Sequence, residues 1–120
     1  MGFVALKRHA ASLPGATLDI KWGSDWVASV GGRMFFVGGP HPAAWTGCSF
    51  KIDEHRFLEL TDVPGIVPAP YLARARWVRL VVANALPLVQ LKALVSRSHQ
   101  LILSKCTKRL QRELMAGGAG

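Results

Sequence analysis

One hundred and twenty residues leave room for one domain and no second. Half of them are hydrophobic and 18% are charged, which excludes a disordered chain, and no apolar run reaches the ~18 residues that cross a bilayer, because Asn84 and Pro87 break the best one. The formal net charge of +8 favours an anionic partner such as nucleic acid, anionic lipid or an acidic protein. Cys48 and Cys106 form no C-x-x-C pair and read as reduced packing residues. Lys7 and Arg8 follow the apolar start instead of preceding it, so no signal peptide is expected and the cytoplasm is the default location.

Residues 3–12 predict a short helix with Phe3, Leu6 and Ala10 on one face, stopped by Leu13-Pro14-Gly15. Residues 16–22 alternate Leu18, Ile20 and Trp22 against Thr17, Asp19 and Lys21, the pattern of a strand. Residues 26–30 and 33–37 make two more strands, joined by Gly31-Gly32 as a two-residue hairpin turn. Residues 38–47, with Pro40, His41, Pro42 and Trp45, form a looser connection to a fourth strand at 49–52. Asp53 is placed to cap a helix running to about Leu60, which Pro64-Gly65 ends.

Residues 65–78 read Gly-Ile-Val-Pro-Ala-Pro-Tyr-Leu-Ala-Arg-Ala-Arg-Trp-Val. Pro68 and Pro70 each remove a donor and fix φ, and they bias Val67 and Ala69 toward extended conformations, so the segment is a stiff, non-helical elbow. Residues 74–82 predict a fifth strand, with Arg74, Arg76, Val78 and Leu80 on one face and Trp77 and Arg79 on the other. Apolar residues on both faces make it central. From Pro87 the chain turns helical: Leu91, Leu94, Val95 and Ser98 share a face, and Leu103, Cys106, Leu110 and Leu114 continue the stripe. This reads as two helices, or one bent near residues 96–98. The result is an α+β fold in the order α-β-β-β-β-α-β-α-α, an antiparallel sheet of about five strands with helices on one side. Residues 1–115 form the domain and 116–120 a flexible tail.

The elbow, Gly65-Ile66, then Pro68-Ala69-Pro70-Tyr71, then Trp77-Val78, resembles the signature of the MmcQ/YjbR family of small bacterial proteins. Leu13-Pro14-Gly15 and Trp22-Gly23 are similar to that family's opening. The resemblance covers nearly the whole chain. It implies a frataxin-like (CyaY-like) fold, also described as a double wing, and brings the DNA-binding label that the family carries by fold analogy. Frataxins bind iron through an acidic ridge; the seven carboxylates here are scattered, so no iron role is carried over.

Charge is unevenly placed. Residues 1–65 hold six basic and six acidic residues, whereas residues 66–112 hold nine basic and none acidic, and Glu113 brings the whole to +8. Lys105, Lys108, Arg109 and Arg112 recur at helical spacing and predict one stripe, with Arg97 two turns earlier. Such a stripe tracks phosphates or is a solvated helix face. Tyr71 and Trp77 beside Arg74, Arg76 and Arg79 resemble an aromatic-basic nucleic-acid surface, unless Trp77 is core and Tyr71 bonds a loop. His55 and Glu59 have a metal-ligand spacing but no third ligand, so no metal and no cofactor are expected. No G-x-S-x-G, P-loop or H-E-x-x-H occurs, and Cys48 with His9, His41, His55 or His99 makes no recognisable nucleophile pair.

These features predict a non-enzymatic cytoplasmic protein that binds nucleic acid through phosphate contacts of a basic C-terminal ridge: Arg74, Arg76, Arg79, Arg97, Lys105, Lys108, Arg109 and Arg112. The alternatives are an interaction or chaperone-like module for an acidic protein, and a small-anion pocket at the elbow involving Pro68, Pro70, Tyr71 and Trp77.

Overall fold

Short apolar strands and three glycines in the left-handed region, Gly15, Gly31 and Gly32, build the first half of the molecule. The structure, a computed structural model, describes residues 2–21, 25–38, 47–70 and 72–119. Helix α1 (Gly2–Ser12) is followed by strands β1 (Thr17–Lys21), β2 (Asp25–Val30), β3 (Arg33–Gly38) and β4 (Cys48–Lys51). Gly31 and Gly32, at φ 61° and 80°, close the β2–β3 hairpin, a conformation that suits glycine. Then come α2 (Phe57–Thr61), β5 (Ile66–Pro68), β6 (Trp77–Leu80), α3 (Leu88–Leu103) and α4 (Lys108–Ala119).

The six strands form one antiparallel sheet in the order β1-β2-β3-β4-β6-β5. One face packs on the helices. Trp26, Ala28, Val30, Phe36, Phe50, Val78 and Leu80 from the sheet meet Leu6, Leu91, Leu94, Val95 and Ile102 there. A bulge in β3 places Phe35 between Met34, opposite Ser29, and Phe36, opposite Ala28, so two successive phenylalanines are fully buried. Ser98 fixes α3 to the sheet: its Oγ donates to the Phe35 carbonyl at 2.7 Å and accepts the Lys51 N–H at 3.0 Å. His99 Nε2 donates to the Pro14 carbonyl (2.7 Å), and His9 is hydrogen-bonded to Ser96 (2.6 Å), tying α1 and its exit turn to α3. Strand β1 lies at an edge, which leaves Leu18 and Ile20 51% and 48% exposed.

The α+β class, element order and one-sided helices agree with the sequence reading, with three corrections. The sheet has six strands: the start of the elbow is β5, and a proline is admissible there because an edge strand has no second neighbour needing its N–H. The predicted strand over 74–82 shrinks to Trp77–Leu80, because residues Ala73–Ala75 form a 3-10 turn ending at Arg76 in the left-handed conformation (φ 63°). The C-terminal helices part at residues 104–107, not at 96–98. The Lys105 and Cys106 N–H groups bond back to Ile102 and Leu103, and Thr107 Oγ1 accepts the Leu110 N–H at 3.1 Å as a cap for α4. Lys105 therefore stands in a turn, off the α4 stripe, and α4 continues to Ala119.

Candidate anion-binding surfaces

Two depressions hold basic residues, one at the end of the sheet beside α3 and one on its helix-free face. The first is a groove of about 420 Å³ between the end of β4, the turn Ala73–Ala75 and the C-terminal end of α3, whose charged lining is Lys51, Arg74, Arg76 and Lys105 with Asp53 and Glu54. Lys51 reaches it from the strand end and donates its ammonium to the Ala75 carbonyl. Burial holds Lys51 below the ordinary lysine range, and repulsion from Lys105 and Arg76 adds to this, against the pull of Glu54. Cations from β4, the turn and the α3 end thus feel one another across the groove. Arg76, in the left-handed conformation that costs a non-glycine residue about 1 kcal/mol, projects over the Phe57 ring at 5.3 Å and pairs with Glu54 at 3.2 Å.

The other predicted cations are placed differently. Arg97 forks onto Asp53 (Nη2–Oδ1 2.9 Å, Nε–Oδ2 3.0 Å), and this bond holds the Asp53 carboxyl below its usual value. Arg109 pairs with Glu113 one turn along α4 at 3.2 Å. Among the described residues, Arg74, Lys105, Lys108 and Arg112 have no ion-pair partner. Arg79 lies apart: the β4–β6 register puts it beside Ser49 on the helix-free face.

That face carries the second depression, a cleft of about 440 Å³ lined by Asp25, Met34, Val37, Ser49, Ala69, Pro70, Leu72 and Arg79. Its wall is the elbow, held over the sheet by the Ala69 N–H on the Trp77 carbonyl (3.0 Å) and the Trp77 N–H on the Leu72 carbonyl (3.2 Å). Trp77 is 4% exposed, so of its two sequence readings the packed one holds and it offers no open stacking face. Pro68 and Pro70 are exposed, and Tyr71 lies outside the described residues, as do Trp22, Gly23 and most of the 38–47 connection. Cys48, buried on the helix side, has its thiol pushed up to about 12 by burial, with Arg79 pulling the other way. Both cysteines are free, no group of three metal-ligating side chains occurs among the described residues, and no described helix is long and apolar enough to cross a membrane.

Sequence reasoning missed Lys51, which no local signal separates from a solvated strand-end lysine, and missed that Asp53 and Glu54 would neutralise Arg97 and Arg76.

A family model described as YjbR matches residues 11–101, three quarters of the chain. The chain belongs to the YjbR family. The match includes Lys51, Arg74, Arg76, Arg79 and the whole elbow, and it stops short of Lys105 and α4. Deinococcus radiodurans protein DR2400, described as a DUF419 domain, is similar in structure at a TM-score of 0.81 and 24% identity, covering 93% of this chain and 86% of that one. A protein from Pseudomonas syringae is similar at a TM-score of 0.68 and 16% identity, covering 85% of this chain and 99% of that one. At such identities these likenesses establish the YjbR fold alone. No curated protein matches the chain.

Proposed function

We propose that this YjbR domain is a non-enzymatic bacterial cytoplasmic protein that binds nucleic acid through its phosphates, with the groove as the first contact and Lys108 and Arg112 of α4 extending it. The observation that carries the reading is the convergence of Lys51, Arg74, Arg76 and Lys105 on one groove. Opposed cations that raise one another's energy are relieved by an anion. The Arg76–Glu54 pair is no obstacle: Glu54 is 80% exposed, and an exposed pair contributes less than about 1 kcal/mol, so a phosphate can displace it. Contacts of this kind position a backbone without reading bases.

Fluorescence anisotropy with labelled duplexes of unrelated sequence tests the proposal. Four to six phosphate contacts give log K against log salt a slope of roughly −4 to −5. The double variant Arg74→Gln/Lys105→Gln should flatten that slope by roughly two units and weaken every sequence alike. A protein that binds no DNA or RNA at low ionic strength overturns the reading and leaves an acidic protein as the partner to seek.

A further inference from the structure

We propose that the cleft on the helix-free face is a binding site for a small organic monocarboxylate with an apolar body, whose carboxylate pairs with Arg79. This goes beyond the nucleic-acid reading and does not depend on it. The cross-strand register sets Val37, Ser49 and Arg79 side by side on β3, β4 and β6, at strand spacings of about 4.8 Å. Arg79 is half-buried, and among the described residues it has neither an ion-pair nor a hydrogen-bond partner. The Ser49 hydroxyl likewise has no partner there. A partly desolvated guanidinium with a free donor beside it is an unfinished arrangement, and a carboxylate completes it with a two-pronged, charge-assisted bond.

Gly47 keeps that guanidinium in place. A Cβ at Gly47 would come within 2.8 Å of the Leu80 carbonyl oxygen and 3.1 Å of Arg79 Nη2, so only a hydrogen fits where the arginine lies against the chain. The remaining lining is apolar: Met34 and Val37 from β3, and Ala69, Pro70 and Leu72 from the elbow. A volume of about 440 Å³ falls in the ordinary range for small-molecule sites, and apolar walls with a few polar groups are their usual make-up. The elbow's paired prolines make the wall stiff, so little ordering entropy is lost on binding. Asp25 sets the other limit. It lies on β2, three strand spacings from β6 or about 14 Å between backbones, at the far side of the cleft. A second anionic group reaching that side meets a carboxylate, so the site favours monocarboxylates over dicarboxylates of equal length.

Calorimetric titration with hexanoate, adipate and inorganic phosphate tests this. Hexanoate should bind saturably, adipate at least about fivefold more weakly, and phosphate not measurably. Arg79→Gln should lower hexanoate affinity about tenfold or more, the usual scale for a lost charge-assisted bond, while duplex DNA binding stays at the parent's level. Asp25→Asn leaves Arg79 untouched and covers the case in which the Arg79 variant does not fold: adipate should rise to within about twofold of hexanoate. The proposal is overturned if hexanoate shows no saturable binding up to tens of millimolar, or if adipate binds the parent as well as hexanoate does. It is equally overturned if folded Arg79→Gln binds hexanoate unchanged, or if Asp25→Asn leaves the preference intact.

Discussion

The groove and the elbow cleft draw their arginines from six consecutive residues, yet they are opposite kinds of place. Arg74 and Arg76 leave the chain in a turn and face other cations across open water; Arg79, three residues on, stands in a strand with apolar neighbours and a glycine at its back. The first setting suits a polyanion, which pairs several exposed charges at once, and salt weakens it. The second suits one anionic group carrying hydrocarbon. The basic residues of 66–112 are therefore not one surface: Arg74, Arg76 and Lys105 meet at the groove, Arg79 stands in the cleft, and Arg97 and Arg109 are held by carboxylates.

The most forceful way to break the comparison is to remove what the two sites share. Phe50 is fully buried, flanked in sequence by Ser49 of the cleft and Lys51 of the groove and paired with Val78. Phe50→Ala should cost roughly 3–5 kcal/mol in chemical denaturation and lower both binding activities together. Loss of one activity alone would mean that the sites do not rest on a common floor. A finer cut is Gly47→Ala. Its Cβ has no room beside Leu80 and Arg79, so it should cost about 1–3 kcal/mol and displace the guanidinium, weakening hexanoate while leaving the salt slope for DNA unchanged. A variant as stable as the parent would show that the backbone yields there.

The smallest effect sharpens the groove side. Arg97 depresses the Asp53 pKa, so their pair contributes stability that is fully present above the ordinary aspartate value near 4. It is lost as pH falls through the lower native value. Thermal melts taken between pH 5 and pH 3 should fall less steeply for Asp53→Asn than for the parent. Equal slopes would show that the bond in the structure is not made in solution.

Much of this was legible in the sequence. Period-two alternation gives β1, the Gly31-Gly32 turn gives the β2–β3 hairpin, and alternation sets Arg79 on the other face from Val78 and Leu80, whereas Arg74 and Arg76 leave the chain in a turn before the strand. Three features were not legible because they are tertiary. Pro68 argues against a strand unless the strand is known to lie at an edge, and the sequence does not say which strand is outermost. The stripe Leu103, Cys106, Leu110, Leu114 keeps helical spacing across a turn, since a short turn capped by Thr107 returns the next apolar residue to the same side. Lys51 joins the groove only because residues 51, 76 and 105 meet in space.

The bonds of Ser98 also set an order of events during synthesis. The Phe35 carbonyl and the Lys51 N–H wait for a residue that the ribosome adds 63 and 47 positions later. The free side of β4 likewise waits for β6, because the chain builds β5 at the outside and then returns to fill the gap. The first four strands can be made and paired as hairpins, but their seam with the rest stays open until β6 has emerged, and their tie to α3 until Ser98 has. The nascent protein therefore carries an unsatisfied apolar edge at Cys48–Lys51 from the completion of β4 until the ribosome has added Trp77–Leu80, and that interval is when it is most exposed to mispairing with another copy.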